Sequence, residues 1–224
     1  MLTAPEAFAA FDRLRAGNRR AVTNQPLASA GMDASQLAIL AQGQHPFAAV
    51  LGCADSRVPV EAVFDQSAGD LFVVRVAGNV AAPTEIGSVE YAVASFGLRL
   101  VVVLGHTQCG GVMATLDAVR SPEVSPTGPL AAVIDQLRPP VQSVLDASAS
   151  DADASRVGLV ARAVRANIRY VVERLQRESS LLRRAVADDG LVIVGAEYRL
   201  DSGRVEFLDR DDWRQPTADE DTTT

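Results

Sequence analysis

Residues 100–111 read LVVVLGHTQCGG. The apolar run at 100–104 is short and rich in β-branched valine, which suits a strand buried on both faces of a parallel sheet. Gly105 is expected to let the chain turn as it emerges, and a histidine and a cysteine follow at 106 and 109. The whole chain holds two histidines and two cysteines. One of each therefore falls at the mouth of a single strand.

Outward from this stretch, three further runs have the same character: 47–52 (FAAVLG), 71–76 (LFVVRV) and 191–195 (LVIVG). A fifth, 204–208 (RVEFL), follows the turn signal Asp201-Ser202-Gly203 and predicts an antiparallel edge strand. Helical patterns lie between them. Phe8, Phe11 and Leu14 mark one face of an N-terminal helix that Gly17-Asn18 is expected to end. Pro83-Thr84 opens a second that runs to about Gly97, with Ile86, Val89 and Val93 on one face. A long third spans 155–177, with Val157, Val160, Val164, Ile168 and Val171 on its buried side. Residues 120–129 and 147–154 read as connections within one domain.

Strands separated by helices imply right-handed crossovers. The predicted fold is α/β: a four-stranded, mainly parallel sheet with an antiparallel edge strand, flanked by helices. A single domain is expected over 1–208, including an N-terminal helical arm, with an acidic, partly disordered tail at 209–224.

Composition agrees with one globular domain: 224 residues, 48% hydrophobic and 22% charged. A net charge of −7 without a basic patch argues against a nucleic-acid surface. No apolar run approaches the roughly 18 residues of a membrane span. The first residues lack the basic, apolar, small-residue order of a secretory signal, and two cysteines make no disulfide framework. The expected location is the cytoplasm, where thiols stay reduced and serve as ligands or nucleophiles.

In sheets of this class, ligands gather beyond the carboxyl ends of the strands, where the strand order reverses. Cys53-Ala54-Asp55-Ser56-Arg57 follows the first strand, and His106-Thr107-Gln108-Cys109 follows the third. Each piece alone has a plain reading. A strand-end cysteine is commonly a small buried hydrophobe, and Asp-x-Arg is commonly a loop ion pair. Taken together, two thiolates and an imidazole suit tetrahedral Zn²⁺, and three protein ligands leave the open position of a catalytic zinc. Two thiolates cancel the ion's charge, so bound water is acidified less than at a tris-histidine site. Asp55 is expected within reach of the fourth position, accepting the hydroxide's proton in a hydrogen bond. Arg57 is expected to clamp Asp55, keeping it ionised and off the metal. Without that clamp Asp55 becomes a fourth ligand and closes the site.

CADSRV at 53–58 followed by HTQCGGV at 106–112 resembles the beta-class carbonic anhydrases, over roughly residues 8–208. The family pattern C-x-D-x-R plus H-x-x-C matches at every position. The resemblance implies zinc held by Cys53, His106 and Cys109, with Asp55 and Arg57 as the dyad beside the metal-bound water. The implied reaction is reversible hydration of CO₂ to bicarbonate and a proton, by attack of zinc-bound hydroxide. Gln44 resembles a family glutamine that donates a hydrogen bond to a CO₂-like ligand, and Phe72 and Tyr91 resemble apolar pocket walls. Ala77 falls where the family often has a small aliphatic. Gly110 resembles a glycine whose backbone faces the substrate. Some of these wall residues come from a partner subunit in the family, which implies a homodimer or a multiple of dimers.

One departure stands out. Some bacterial members carry a second bicarbonate pocket whose tryptophan position is Val50 here, so that pocket is expected to be missing in its usual form, although Arg75 resembles its arginine. His45 reads as an exposed loop residue. Two alternatives stay open: another heterocumulene substrate, CS₂ or COS, or a structural zinc with Asp55 as permanent ligand, against which the presence of Arg57 argues.

Overall fold

In the computed structural model, which describes residues 5–28, 32–121, 123, 126–148 and 155–208, the valine-rich run is a strand, Leu100–His106, buried at every position. It is the third strand, β3. The others are β1 (Ala48–Cys53), β2 (Leu71–Val76), β4 (Val192–Tyr198) and β5 (Val205–Phe207). Among the described residues they form one five-stranded sheet in the order β2-β1-β3-β4-β5. The first four strands pair in parallel, and β5 lies antiparallel on β4. This is the predicted arrangement, with strand ends shifted by up to a few residues.

Strand periodicity divides the core in two, because successive side chains point to opposite faces. Ala48, Val50, Val102 and Leu104 pack with Phe11, Leu14, Val60 and Phe64, which belong to α1 (Pro5–Val22) and the segment around α3 (Val60–Val63). Ala49, Leu51, Val101 and Val103 join the larger cluster on the other face. That face is covered by α4 (Pro83–Phe96), α5 (Gly110–Arg120), α6 (Pro129–Ala147), α7 (Arg156–Glu178) and α8 (Ser180–Asp188). With helices on both faces, strands of nearly unbroken apolar sequence are what burial selects. Helix α2 (Ala34–Leu40) buries none of its residues and is opened by a capping box between Asp33 and Gln36.

Two helix expectations need correction. Gly17 and Asn18 do not end α1; both are buried, and the helix continues to Val22. Gly17 marks a close crossing, since a Cβ there would lie 1.8 Å from the Phe64 carbonyl oxygen. Asn18 donates to the carbonyls of Val63 and Gly203 and accepts from the Val205 N–H, tying α1 to the β4–β5 hairpin. Val157 is not on the buried stripe of α7; it is 81% exposed. Residues 155–157 all face solvent, so the first turn stands clear of the core and burial begins at Leu159. Other signals hold: Gly97 takes the left-handed conformation that stops α4, and Ser155 caps α7.

Among the described residues, no helix is long and apolar enough to cross a membrane. The acidic tail expected at 209–224 lies outside them. The chain leaves β1 toward β2 on one side of the sheet, while β3 lies on the other, so the order reverses between β1 and β3. The carboxyl ends of these two strands flank the crevice where such folds bind ligands.

Candidate metal centre

Cys53 ends β1 and His106 ends β3, on neighbouring parallel strands in which Gly52 pairs with Leu104. After His106 the chain turns at Gln108, which has a positive φ of 56°. Cys109 then becomes the N-cap of α5. The turn therefore lies beyond Gly105, contrary to expectation. Gly105 sits inside β3 because α7 presses against it; a Cβ there would lie 2.6 Å from the Ile168 side chain.

These constraints gather two sulfurs and one imidazole nitrogen within 4.8 Å of one another, on three buried residues. His106 Nδ1 lies 2.9 Å from the Thr107 carbonyl oxygen. That oxygen only accepts, so Nδ1 carries the proton and Nε2 keeps its lone pair. Nε2 is buried and has no hydrogen-bond partner. Such an orphan is costly unless something binds it. A soft S, S, N donor set converging with that lone pair fits Zn²⁺.

The surroundings favour thiolate at Cys53. A hydrogen bond from Cys109 holds the Cys53 thiol well below its usual range, against burial. The backbone N–H groups of Asp55 and Gly78 act in the same direction. Those two N–H groups each lie 3.4 Å from the sulfur.

Asp55 stands beside the cluster, with Oδ2 3.7 Å from His106 Nε2. Its carboxylate is clamped by Arg57 through Nε to Oδ1 at 2.9 Å and Nη2 to Oδ2 at 2.7 Å. The Arg57 backbone N–H adds a third bond to Oδ1 at 3.0 Å. The Arg57 side chain, opposed by partial burial, holds the Asp55 carboxyl well below the ordinary carboxylate range. Asp55 is thus ionised at any physiological pH.

Arg75 does something its sequence context does not signal. Its guanidinium donates to the Cys53 carbonyl at 2.9 Å and the Asp55 carbonyl at 2.7 Å, securing the loop that carries both side chains. Local pattern offers no clue to this, because Arg75 comes from β2.

The expected pocket residues separate into two groups. Ala77 follows Val76, the strand partner of Cys53, and Gly110 follows Cys109; both are exposed at the end of the sheet that carries Cys53 and His106. Phe72 instead pairs with Ala49, at the opposite end. It is about 13 Å from the Cys53 level along the strand. There it packs with Tyr91 and Phe96, ring centroids 6.0 Å away in each case. Tyr91 is 55% exposed, and Gln44 and His45 are exposed on the loop before β1. A single chain therefore unites Cys53, Asp55, Arg57, His106 and Cys109, and does not bring Gln44, Phe72 or Tyr91 to them.

Comparison with known proteins is consistent with this centre. A family profile described as carbonic anhydrase matches residues 48–205, the span that contains all five clustered residues. The solved beta-carbonic anhydrase CcaA superposes with a TM-score of 0.68 at 27% identity, covering 78% of this chain and 85% of its own. The chain belongs to the beta-class carbonic anhydrases. This is a family of lyases whose general reaction is CO₂ hydration. A carbonic anhydrase of Mycolicibacterium smegmatis is 40% identical over 200 residues, 89% of this chain and 92% of that protein. A beta-carbonic anhydrase of the fungus Sordaria macrospora, one of two described as tetrameric, superposes with a TM-score of 0.63 at 29% identity, covering 77% of this chain and 85% of its own.

Proposed function

We propose that this chain is a cytoplasmic zinc enzyme that hydrates CO₂ reversibly to bicarbonate and a proton, working as a homodimer or a multiple of dimers. The observation that carries the reading is the orphaned Nε2 of His106 facing the sulfurs of Cys53 and Cys109. Zinc held by these three residues supplies the Lewis acidity that makes a water nucleophilic near neutral pH. Asp55 would accept a hydrogen bond from a water held there and so orient it toward the substrate carbon. Arg57 keeps Asp55 ionised and turned away from the ligand position, which speaks against a structural centre with Asp55 as permanent ligand. Ala77 and Gly110 leave a small, uncrowded approach suited to a linear apolar molecule.

Gln44, Phe72 and Tyr91 complete the pocket from a second subunit. The exposed ring of Tyr91, clustered with Phe72 and Phe96, supports that role, because aromatic groups are enriched at protein interfaces.

The test is zinc content per chain, combined with stopped-flow CO₂ hydration over a range of pH and parallel assays with CS₂ and COS. Stoichiometric zinc and CO₂ turnover are expected. Protein purified without chelators yet lacking zinc, or zinc-loaded protein inert toward CO₂ even at alkaline pH, overturns the proposal.

A further inference from the structure

Helix α7 is far from the metal ligands in sequence, yet two consecutive residues on it touch the segments that carry them. Ile168 packs onto Gly105, the residue before His106. Asn167 is 1% exposed and donates through Nδ2 to the Gly78 carbonyl at 2.9 Å. Gly78 lies in a short 3-10 turn, Ala77–Asn79, with φ 71° and ψ 16°. Asn79 beside it also has a positive φ, 42°. With the dihedrals of Gly78 set, anchoring its carbonyl fixes where its N–H points. That N–H lies 3.4 Å from the Cys53 sulfur.

We infer that Asn167 is a positioning residue for the metal centre: by anchoring Gly78, it holds a backbone N–H donor on the sulfur of Cys53. The inference rests on the zinc reading above. Asn167 Oδ1 is itself buried without a partner, as is Asn79 Nδ2. A buried amide left half satisfied contributes little net stability, and an apolar residue of the same size would suit the core better. Its value lies in what it does to Gly78. A donor on a ligating sulfur restrains the sulfur's direction and draws off electron density, the usual work of groups that orient metal ligands.

The test compares wild type, Asn167→Leu and Ile168→Val. Asn167→Leu keeps the volume and removes the donor, while Ile168→Val loosens the same stretch of α7 without touching the amide. Zinc affinity, measured by competition with a chelator, is expected to fall roughly 10- to 100-fold in Asn167→Leu. In cobalt-substituted protein, the thiolate-to-cobalt charge-transfer band should move to lower energy, because the sulfur has lost a donor. Ile168→Val should leave the band in place. If Asn167→Leu does not fold, Asn167→Val, which is smaller and likewise has no donor, carries the same readouts. Wild-type affinity with an unshifted band in the Asn167 variant, or both changes reproduced by Ile168→Val, overturns the positioning role alone. A wild-type chain that takes up neither zinc nor cobalt overturns this inference and the metal reading together.

Discussion

Both carboxylate oxygens of Asp55 are held by the one guanidinium of Arg57, and Oδ2 still lies 3.7 Å from His106 Nε2. The carboxylate is therefore close to the ligand cluster and restrained from joining it. Asp55→Ala is expected to lower kcat/KM roughly 10²- to 10⁴-fold with zinc retained. Arg57→Ala should also lower turnover, by freeing Asp55 to take the open ligand position. Arg57→Lys should fall between, because an ammonium cannot grip two oxygens in a fork. Stopped-flow rates alongside metal content check this, and unchanged turnover in Asp55→Ala would refute the role.

A second carboxylate governs stability toward acid. Asp65 is buried, where desolvation raises its pKa. Hydrogen bonds from the Leu27 and Ala28 N–H groups and from Arg20 outweigh that and hold it below the usual range. The unfolded chain, with an ordinary value near 3.9, then binds this proton more readily than the folded one. The stabilisation is complete above the unfolded value and is lost as pH falls through the folded value. Asp65→Asn should cost about 2 kcal/mol at neutral pH, and the gap to wild type should close below about pH 4. Urea denaturation at several pH values measures it; a gap that does not change with pH sinks the assignment.

Gly17 is required by a crossing of backbones. A methyl group there meets the Phe64 carbonyl oxygen at 1.8 Å, and backbone cannot give way as a flexible side chain can. Gly17→Ala should destabilise by about 3 kcal/mol, although alanine is the better helix former. Thermal or urea unfolding decides, and a neutral or stabilising effect would mean that α1 can move off the segment around Phe64.

Tyr91 tests the assembly. It is half exposed in the single chain, so a charge there should be tolerated by an isolated subunit and rejected by an interface. Tyr91→Glu is expected to shift the protein toward monomers in sedimentation or light scattering and to cut CO₂ hydration, with zinc retained. A variant that keeps both wild-type mass and rate argues that Tyr91 lies outside the interface.

Much of the centre is legible along the chain because its parts are local. Cys53, Asp55 and Arg57 sit at one strand end, and His106 and Cys109 at another. Apolar strands and the chemistry of S and N donors are properties of short stretches and single residues. That the two ends are neighbours follows from the strand order, with β1 and β3 paired at the reversal of the sheet. Helix α6 escapes the same rules, since Pro139 and Pro140 stand inside it. Gly17 resembles a helix stop and Gly105 a turn, yet each is a close contact, with Phe64 and Ile168 respectively. Arg75 on the carbonyls of Cys53 and Asp55, and Asn167 on Gly78, leave no local trace at all. The sequence by itself determined the donor set and the strands that present it, because residue chemistry and side-chain alternation act over a few positions. Only the tertiary structure decided which backbone groups and distant side chains orient those donors, because that depends on packing between segments far apart in the chain.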